Sequence, residues 1–350
     1  MNRQNNLESE QTVGTAFLPP SGAESSASRC PGFSLLELLI ALAVLVIVAG
    51  IVTSGMVQMM NAQGTINNRT EMHSSVRSAT ELLQQEIGQA GRVTLPPTNP
   101  NPTLTTAVAV PAGSPSWTGA VGVSSTTGMF TGEQVVVDAG TTFVGTQPFP
   151  NQETVTISAL TPNGFTATFT NNHAVGAPLA VLGAFNAGIV PQASTPFANG
   201  SDGLHLKLFG DINGDGSIVI INYDCSPNDA GTGTLTRSVT DWNSAVQGPT
   251  ITLLGNLKKN PNNAACFLYQ QQTVTINNAP TVFVTDVSVT LTAQTQQKDP
   301  VTHNYQWETQ ALLNVSPRNI FDIWERASQG VYQRVQPVPN RVTNLLTIIQ

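Results

Sequence analysis

The chain has 350 residues, 40% of them hydrophobic and only 10% charged, with 29 Gly and 23 Pro. That composition can bury at least one sizeable core, which excludes an intrinsically disordered chain, and it leaves room for two sub-domains in a β-rich, turn-rich fold. A net charge of −7, four His and no dense Lys/Arg block give no electrostatic footprint for nucleic acid, so no nucleic-acid partner is expected.

Residues 1–32 are polar and lack periodicity, with Arg3 and Arg29 set against Glu8, Glu10 and Glu24. The one continuous apolar stretch follows over 38–52 and extends through Met56, Val57, Met59 and Met60, and no charge falls between Glu37 and Arg69. A helix over 33–60 would be about 42 Å long, against a hydrocarbon core of about 30 Å. This predicts a transmembrane helix, with Arg29 holding the preceding segment on the cytoplasmic side.

Beyond the span, Met72, Val76, Ala79, Leu82, Leu83, Ile87 and Ala90 recur at steps of three and four, with Arg69, Glu71, Arg77, Glu81 and Glu86 between them. The helix therefore continues as an amphipathic segment over 61–92. It ends near Arg92, because Pro96, Pro97, Pro100 and Pro102 cannot prolong it.

The remainder reads as strands and turns. Strands are expected at 135–137, 204–209, 217–223, 273–276 and 282–291, and a short helix at 320–327. A hairpin is expected in which Val155, Ile157 and Ala159 face Phe165, Ala167 and Phe169 across Thr161-Pro162-Asn163-Gly164. Of the three cysteines, Cys30 precedes the apolar segment, while Cys225 and Cys266 follow it and are exported together. One disulfide between that pair is the natural reading.

The window Gly32-Phe33-Ser34-Leu35-Leu36-Glu37-Leu38 joins a small residue, an aromatic start and a carboxylate within an otherwise apolar helix. A carboxylate at mid-membrane costs about 2.5–3.5 kcal/mol on insertion scales and so requires a partner. Cleavage after Gly32 would create one, since the Phe33 ammonium would lie four residues from Glu37 on the same helical face. A secretory signal peptide has an apolar core too, but it rarely holds a carboxylate there, and no A-x-A-like site is evident near Gly50.

The window resembles the cleavage and methylation motif of type IV prepilins. The resemblance implies that a prepilin peptidase cuts after Gly32 and that Phe33 becomes the N-methylated terminus. It also implies that Glu37 pairs with the N-terminus of an adjacent subunit in a filament. More weakly, the stretch from Arg77 to Gly91, Ser201-Asp202-Gly203-Leu204 and Val315-Ser316-Pro317-Arg318-Asn319 resemble minor pilins of the PilW-like group.

Asp211-Ile212-Asn213-Gly214-Asp215-Gly216 fits the opening half of a calcium loop, with Asp211, Asn213 and Asp215 as candidate ligands and Asp224 as an extra one. Asn222 stands where an EF-hand supplies its bidentate Glu, so a Ca²⁺ loop and an empty turn are equally good readings. No other cofactor is expected. His73, His173, His205 and His303 lack metal spacing and a nucleophile elbow, and they read as polar surface or strand-end residues. No catalytic constellation is evident, so the chain is not expected to be an enzyme.

The expected architecture is α+β. It comprises a leader peptide (1–32), a transmembrane helix (33–60), the amphipathic half of that helix (61–92), an inserted β-rich module (93–199) and a pilin-like β domain (200–350). The helix would pack on an antiparallel sheet. The expected function is that of a minor pilin or pseudopilin, single-pass in the bacterial inner membrane with an exported C-terminal domain. Its partners would be the prepilin peptidase, other pilins or pseudopilins and an inner-membrane assembly platform. The alternatives are a type II secretion pseudopilin, and a membrane-anchored adhesive or DNA-uptake binding module with its specificity in 94–199.

Overall fold

The computed structural model describes residues 32–95, 102–140, 151–193, 196–347 and 349. Residues 1–31 of the leader expected over 1–32, with Arg29 and Cys30, and the helix-ending Pro96, Pro97 and Pro100 lie outside the described residues. The chain forms two units, 1–58 and 59–350.

The first helix, α1, runs unbroken over Leu35–Gln89. The absence of proline and the long run of Leu, Ile, Val, Ala and Met explain its length, since most of these residues lose little rotamer freedom in a helix. In the first unit every described residue of 32–58 is exposed, including Phe33, Leu35, Leu45 and Ile51. The helix is long and apolar enough to cross a membrane.

In the second unit, α1 buries Met72, Val76, Ala79, Leu83 and Ile87, the stripe its periodicity predicts. It stops where Gly91 takes a left-handed conformation, φ 80°, with its N–H bonded to Phe209 O at 2.9 Å. A side chain at Gly91 would collide with Ile320, and one at Gly188 would lie 2.2 Å from the Gly91 Cα, so the two glycines allow close backbone passage.

Among the described residues seven strands precede the main sheet: β1 (Trp117–Gly122), β2 (Gln134–Val137), β3 (Glu153–Thr156), β4 (Ala159–Thr161), β5 (Gly164–Phe169), β6 (Leu179–Val181) and β7 (Ala184–Phe185). They form two small antiparallel sheets ordered β1-β5-β4 and β3-β2-β6, while β7 pairs in parallel with a late strand, β15 below. The seven-stranded antiparallel sheet follows, from β8 (His205–Gly210), β9 (Val219–Ser226), β10 (Gly233–Asp241), β11 (Thr250–Lys258), β12 (Phe267–Ile276), β13 (Ala279–Gln294) and β14 (Trp307–Val315). Its order is β12-β13-β11-β10-β9-β8, with β14 on the other edge of β13. The chain ends with α2 (Arg318–Ser328), β15 (Val335–Gln336) and α3 (Asn340–Leu346). The fold is α+β.

The expected hairpin between 155–159 and 165–169 is divided. Ile157 donates its N–H to Glu133 O and accepts that of Gly132, which keeps 153–157 beside β2. The chain crosses at Ser158, whose N–H meets Thr166 O, and only Ala159–Thr161 pairs with β5 across the expected turn. The other edge of β5 is taken by β1, where Gly119 leaves room for the Trp117 ring.

Among the described residues two hydrophobic cores result. The first joins the buried stripe of α1 to Leu206, Leu208, Val219, Ile221 and Tyr223 of the sheet and to Ile320 and Ile323 of α2. The second joins residues of 93–197 to Phe209, Ile218 and Ile220 and to Val342, Leu345 and Leu346 of α3. Strands β8 and β9 therefore feed alternate side chains into both cores, which is why 218–221 reads as continuously apolar.

Candidate functional site

Gly32, Phe33 and Ser34 precede α1 in non-helical conformation, and the helix takes up its first turn as Leu38 N–H bonds to Ser34 O at 3.1 Å. Phe33 is 81% exposed, and a side chain at Gly32 would meet nothing within 4 Å. Glu37 lies in the first turn of α1, where the helix dipole favours a carboxylate. It is an exposed anion amid Leu35, Leu36, Leu38, Leu39 and Ile40, with no basic residue near it in sequence. The segment is thus open at its small residue and aromatic start, and it carries one carboxylate on an apolar rod.

Cys225 of β9 and Cys266, just before β12, are joined in a disulfide, with Cα atoms 6.5 Å apart and both residues buried. The bridge closes 41 residues of sequence separation and staples strands that are not neighbours in the sheet.

The Asp211 loop is held by the protein itself. Asp211 is fully buried; its Oδ1 accepts the Asp215 N–H at 3.0 Å, and its Oδ2 accepts the Thr94 hydroxyl and lies 3.8 Å from Arg92 Nε. Asp215 Oδ1 accepts the Ser217 N–H at 2.8 Å, and Asn213 is exposed. Asn222 is buried in β9, and Asp224 lies 3.9 Å from His205 Nε2. Among the described residues no group of three or more His, Cys, Asp or Glu is arranged to hold a metal ion. Donors of the protein thus contact both Asp211 oxygens in the loop that joins β8 to β9.

His173, expected on the surface or at a strand end, is instead buried. Its Nδ1 lies 2.6 Å from Asp138 Oδ2 and its Nε2 lies 2.7 Å from Glu153 Oε1. Glu153 also accepts N–H groups from Thr170 and Asn171. His173 thus bridges the two carboxylates through its two ring nitrogens. A lone histidine between Asn172 and Ala174 carries no sequence signal for such a clamp, because its two carboxylates come from 138 and 153.

Glu86, which the periodicity places between apolar residues, is also buried. Its carboxylate receives Tyr223 OH at 2.5 Å and the Arg237 guanidinium in a fork, Nη2 at 2.5 Å and Nε at 3.2 Å. Burial opposes the Arg237 charge, but hydrogen bonding and attraction to Glu86 outweigh it and raise the Arg237 pKa. Burial first, and then Glu86, raises that of Tyr223. The second half of α1 is tied further by Asp299, which accepts the Thr65 hydroxyl at 2.7 Å, and by Asn319, whose amide donates to Gln89 O and Ala90 O.

Glu133 is buried in the second core, and its Oε1 has no hydrogen-bond partner among the described residues. Desolvation pushes its pKa from the ordinary 4.5 up to about 8, against a small opposing effect of the Phe130 N–H. A raised acid pKa means that the folded state binds more protons than the unfolded chain across that interval. Stability should therefore be level below about pH 4.5, fall by at most about 1.4 kcal/mol per pH unit as pH rises to about 8, and level off above it. Urea titrations of the parent and Glu133→Gln between these limits check this, and the variant should lose the slope. A parent curve flat across the interval would show that the carboxyl is ionised in the fold.

Residues 27–53 match the family model described as the prokaryotic N-terminal methylation motif. No curated protein and no solved structure matches the chain.

Proposed function

We propose that this chain, whose methylation motif and long apolar helix fit a type IV pilin-like protein, is a minor pilin or pseudopilin that assembles into a pilus-like filament. The observation that carries the reading is the match at 27–53, which contains Gly32, Phe33 and Glu37 and opens the helix Leu35–Gln89. The motif and the helix together suggest a membrane-anchored, single-pass protein and imply processing by prepilin peptidase and assembly with other pilins.

In the proposed sequence of events, the peptidase cuts after Gly32, Phe33 is N-methylated, and Glu37 pairs with the N-terminus of a neighbouring subunit within the filament. An exposed, side-chain-free Gly32 suits access of the scissile bond to a protease. The folded unit would sit on the exported face of the inner membrane, a location in keeping with the Cys225–Cys266 disulfide. There, residues 93–199 would form a surface module on the pilin-like β domain of 200–350.

Mass spectrometry of the membrane-extracted protein tests the reading. The expected mature chain begins at Phe33, with the mass of one added methyl group at that residue. A mature terminus beyond Gly50 would mean conventional signal cleavage and would remove the filament reading.

A further inference from the structure

A groove of about 760 Å³ opens among the segments flanking β15, residues of β2 and β3, and the tip of the β12–β13 hairpin. Among the described residues no Asp, Glu, Lys, Arg or His lines it. Its wall carries the side-chain amides of Asn186, Asn277, Gln333 and Asn340, together with the half-buried Tyr332 ring. Among the described residues none of those four amides is used in a hydrogen bond to the protein.

The frame around them is fixed. Gln336 donates to Gln134 O and Leu182 O and accepts the Gln134 N–H at 2.9 Å, while the Gln134 amide reaches Val335 O. Asn277 and the next residue, Asn278, both hold positive φ, 50° and 63°, as a two-residue hairpin turn of the I′ type requires. The free amides thus stand on a backbone that needs no ordering when a ligand arrives.

We propose that this groove binds a neutral oligosaccharide. Each amide presents one acceptor and two donors in a rigid plane, a set that suits the paired hydroxyls of a sugar ring. The face of Tyr332 offers an apolar surface for the ring's C–H side, with the phenol free to hydrogen-bond at its rim. A lining without charge gives nothing to hold phosphates or carboxylates, which argues against nucleic acid and acidic glycans. An extended peptide is recognised through strand pairing and pockets for alternate side chains. Here the apolar wall is instead broken into separate residues such as Phe197, Ile276 and Val335.

The test titrates the full chain, extracted in a detergent without a sugar headgroup, with maltotetraose and chitotetraose. A heparin tetrasaccharide and an uncharged hexapeptide serve as competitors of other chemistry. One of the neutral tetrasaccharides should bind with a Kd of about 1 mM or tighter. Tyr332→Ala and Asn340→Asp should each weaken that binding about tenfold; Tyr332 also packs against the first core, so the exposed Asn340→Asp is the variant that should leave the thermal midpoint unchanged. Three results would overturn the proposal: no neutral sugar bound at about 10 mM, heparin or peptide bound as well as the sugars, or binding insensitive to both substitutions. The groove does not depend on cleavage after Gly32, so its failure leaves the filament reading intact.

Discussion

Glu86→Ala is expected to destabilise the folded unit by about 3–5 kcal/mol, the usual cost of removing one member of a buried charge pair. The loss has two parts. The Arg237 guanidinium stays protonated and largely buried with no carboxylate to receive its fork. Tyr223, fully buried in the first core, loses the acceptor of its hydroxyl. Because Glu86 belongs to α1, Tyr223 to β9 and Arg237 to β10, the same substitution removes a polar tie between the helix and the sheet.

Glu81→Ala is the control, since Glu81 is exposed and pairs with Arg77 only at i,i+4, worth about 0.3–0.5 kcal/mol. Denaturant unfolding of the two variants and the parent checks the difference. Equal midpoints for Glu86→Ala and Glu81→Ala would show that the cluster contributes no more than a surface pair. Glu86→Met with Arg237→Met should recover much of the loss, because well-packed apolar residues can replace a buried ion pair.

The long helix was legible in the sequence because two independent patterns agree over its length. An uncharged apolar run marks its first half and a step of three and four marks its second, and Met72, Val76, Ala79, Leu83 and Ile87 are buried as that step requires. Glu86 breaks the pattern for a reason outside the segment. Its burial depends on Arg237, 151 residues away, and no local periodicity carries that information. Asp138 and Glu153 around His173 are the same kind of case.

The strands follow a related division. Those at 217–223 and 282–291 stand out because β-branched and aromatic residues run together there, and that at 204–209 because Leu204, Leu206 and Leu208 alternate with polar residues. Strands β10 and β11, Gly233–Asp241 and Thr250–Lys258, are rich in Thr, Ser, Gly and Asn, and β14 is an edge strand containing Glu308, Thr309 and Gln310. These strands are fixed by pairing with β9 and β13 rather than by their own composition. The divided hairpin at 155–169 shows the converse. Its alternating pattern and turn were correct, yet Ile157 finds its partner in Glu133 of another sheet, a choice made by tertiary hydrogen bonding.

The remaining large effect concerns Glu37 and rests on the filament reading. Glu37→Ala should leave the precursor inserted and cleaved but strongly reduce its incorporation into filaments. Gly32 and Phe33, which would meet the peptidase, are untouched by the change. Insertion should become easier, as a lone carboxylate costs about 2.5–3.5 kcal/mol in the span. What is lost is the partner of a Phe33 ammonium. In the low-dielectric interior of a filament that ammonium would be buried unpaired, at a cost of about 3–5 kcal/mol per subunit, or at least a hundredfold in the equilibrium for incorporation. The folded unit of 59–350 should keep its thermal midpoint, because the substitution lies outside that unit. Cell fractionation compares parent and variant in membranes and in sheared filaments, and the expected result is equal membrane amounts with a depleted filament fraction. Equal amounts in both fractions would show that Glu37 has no part in assembly; given the expected depletion, Glu37→Gln separates charge from shape. If the ammonium pairs with the carboxylate, the amide should restore little of the filament fraction; if Glu37 acts only through packing, the near-isosteric amide should restore nearly all of it.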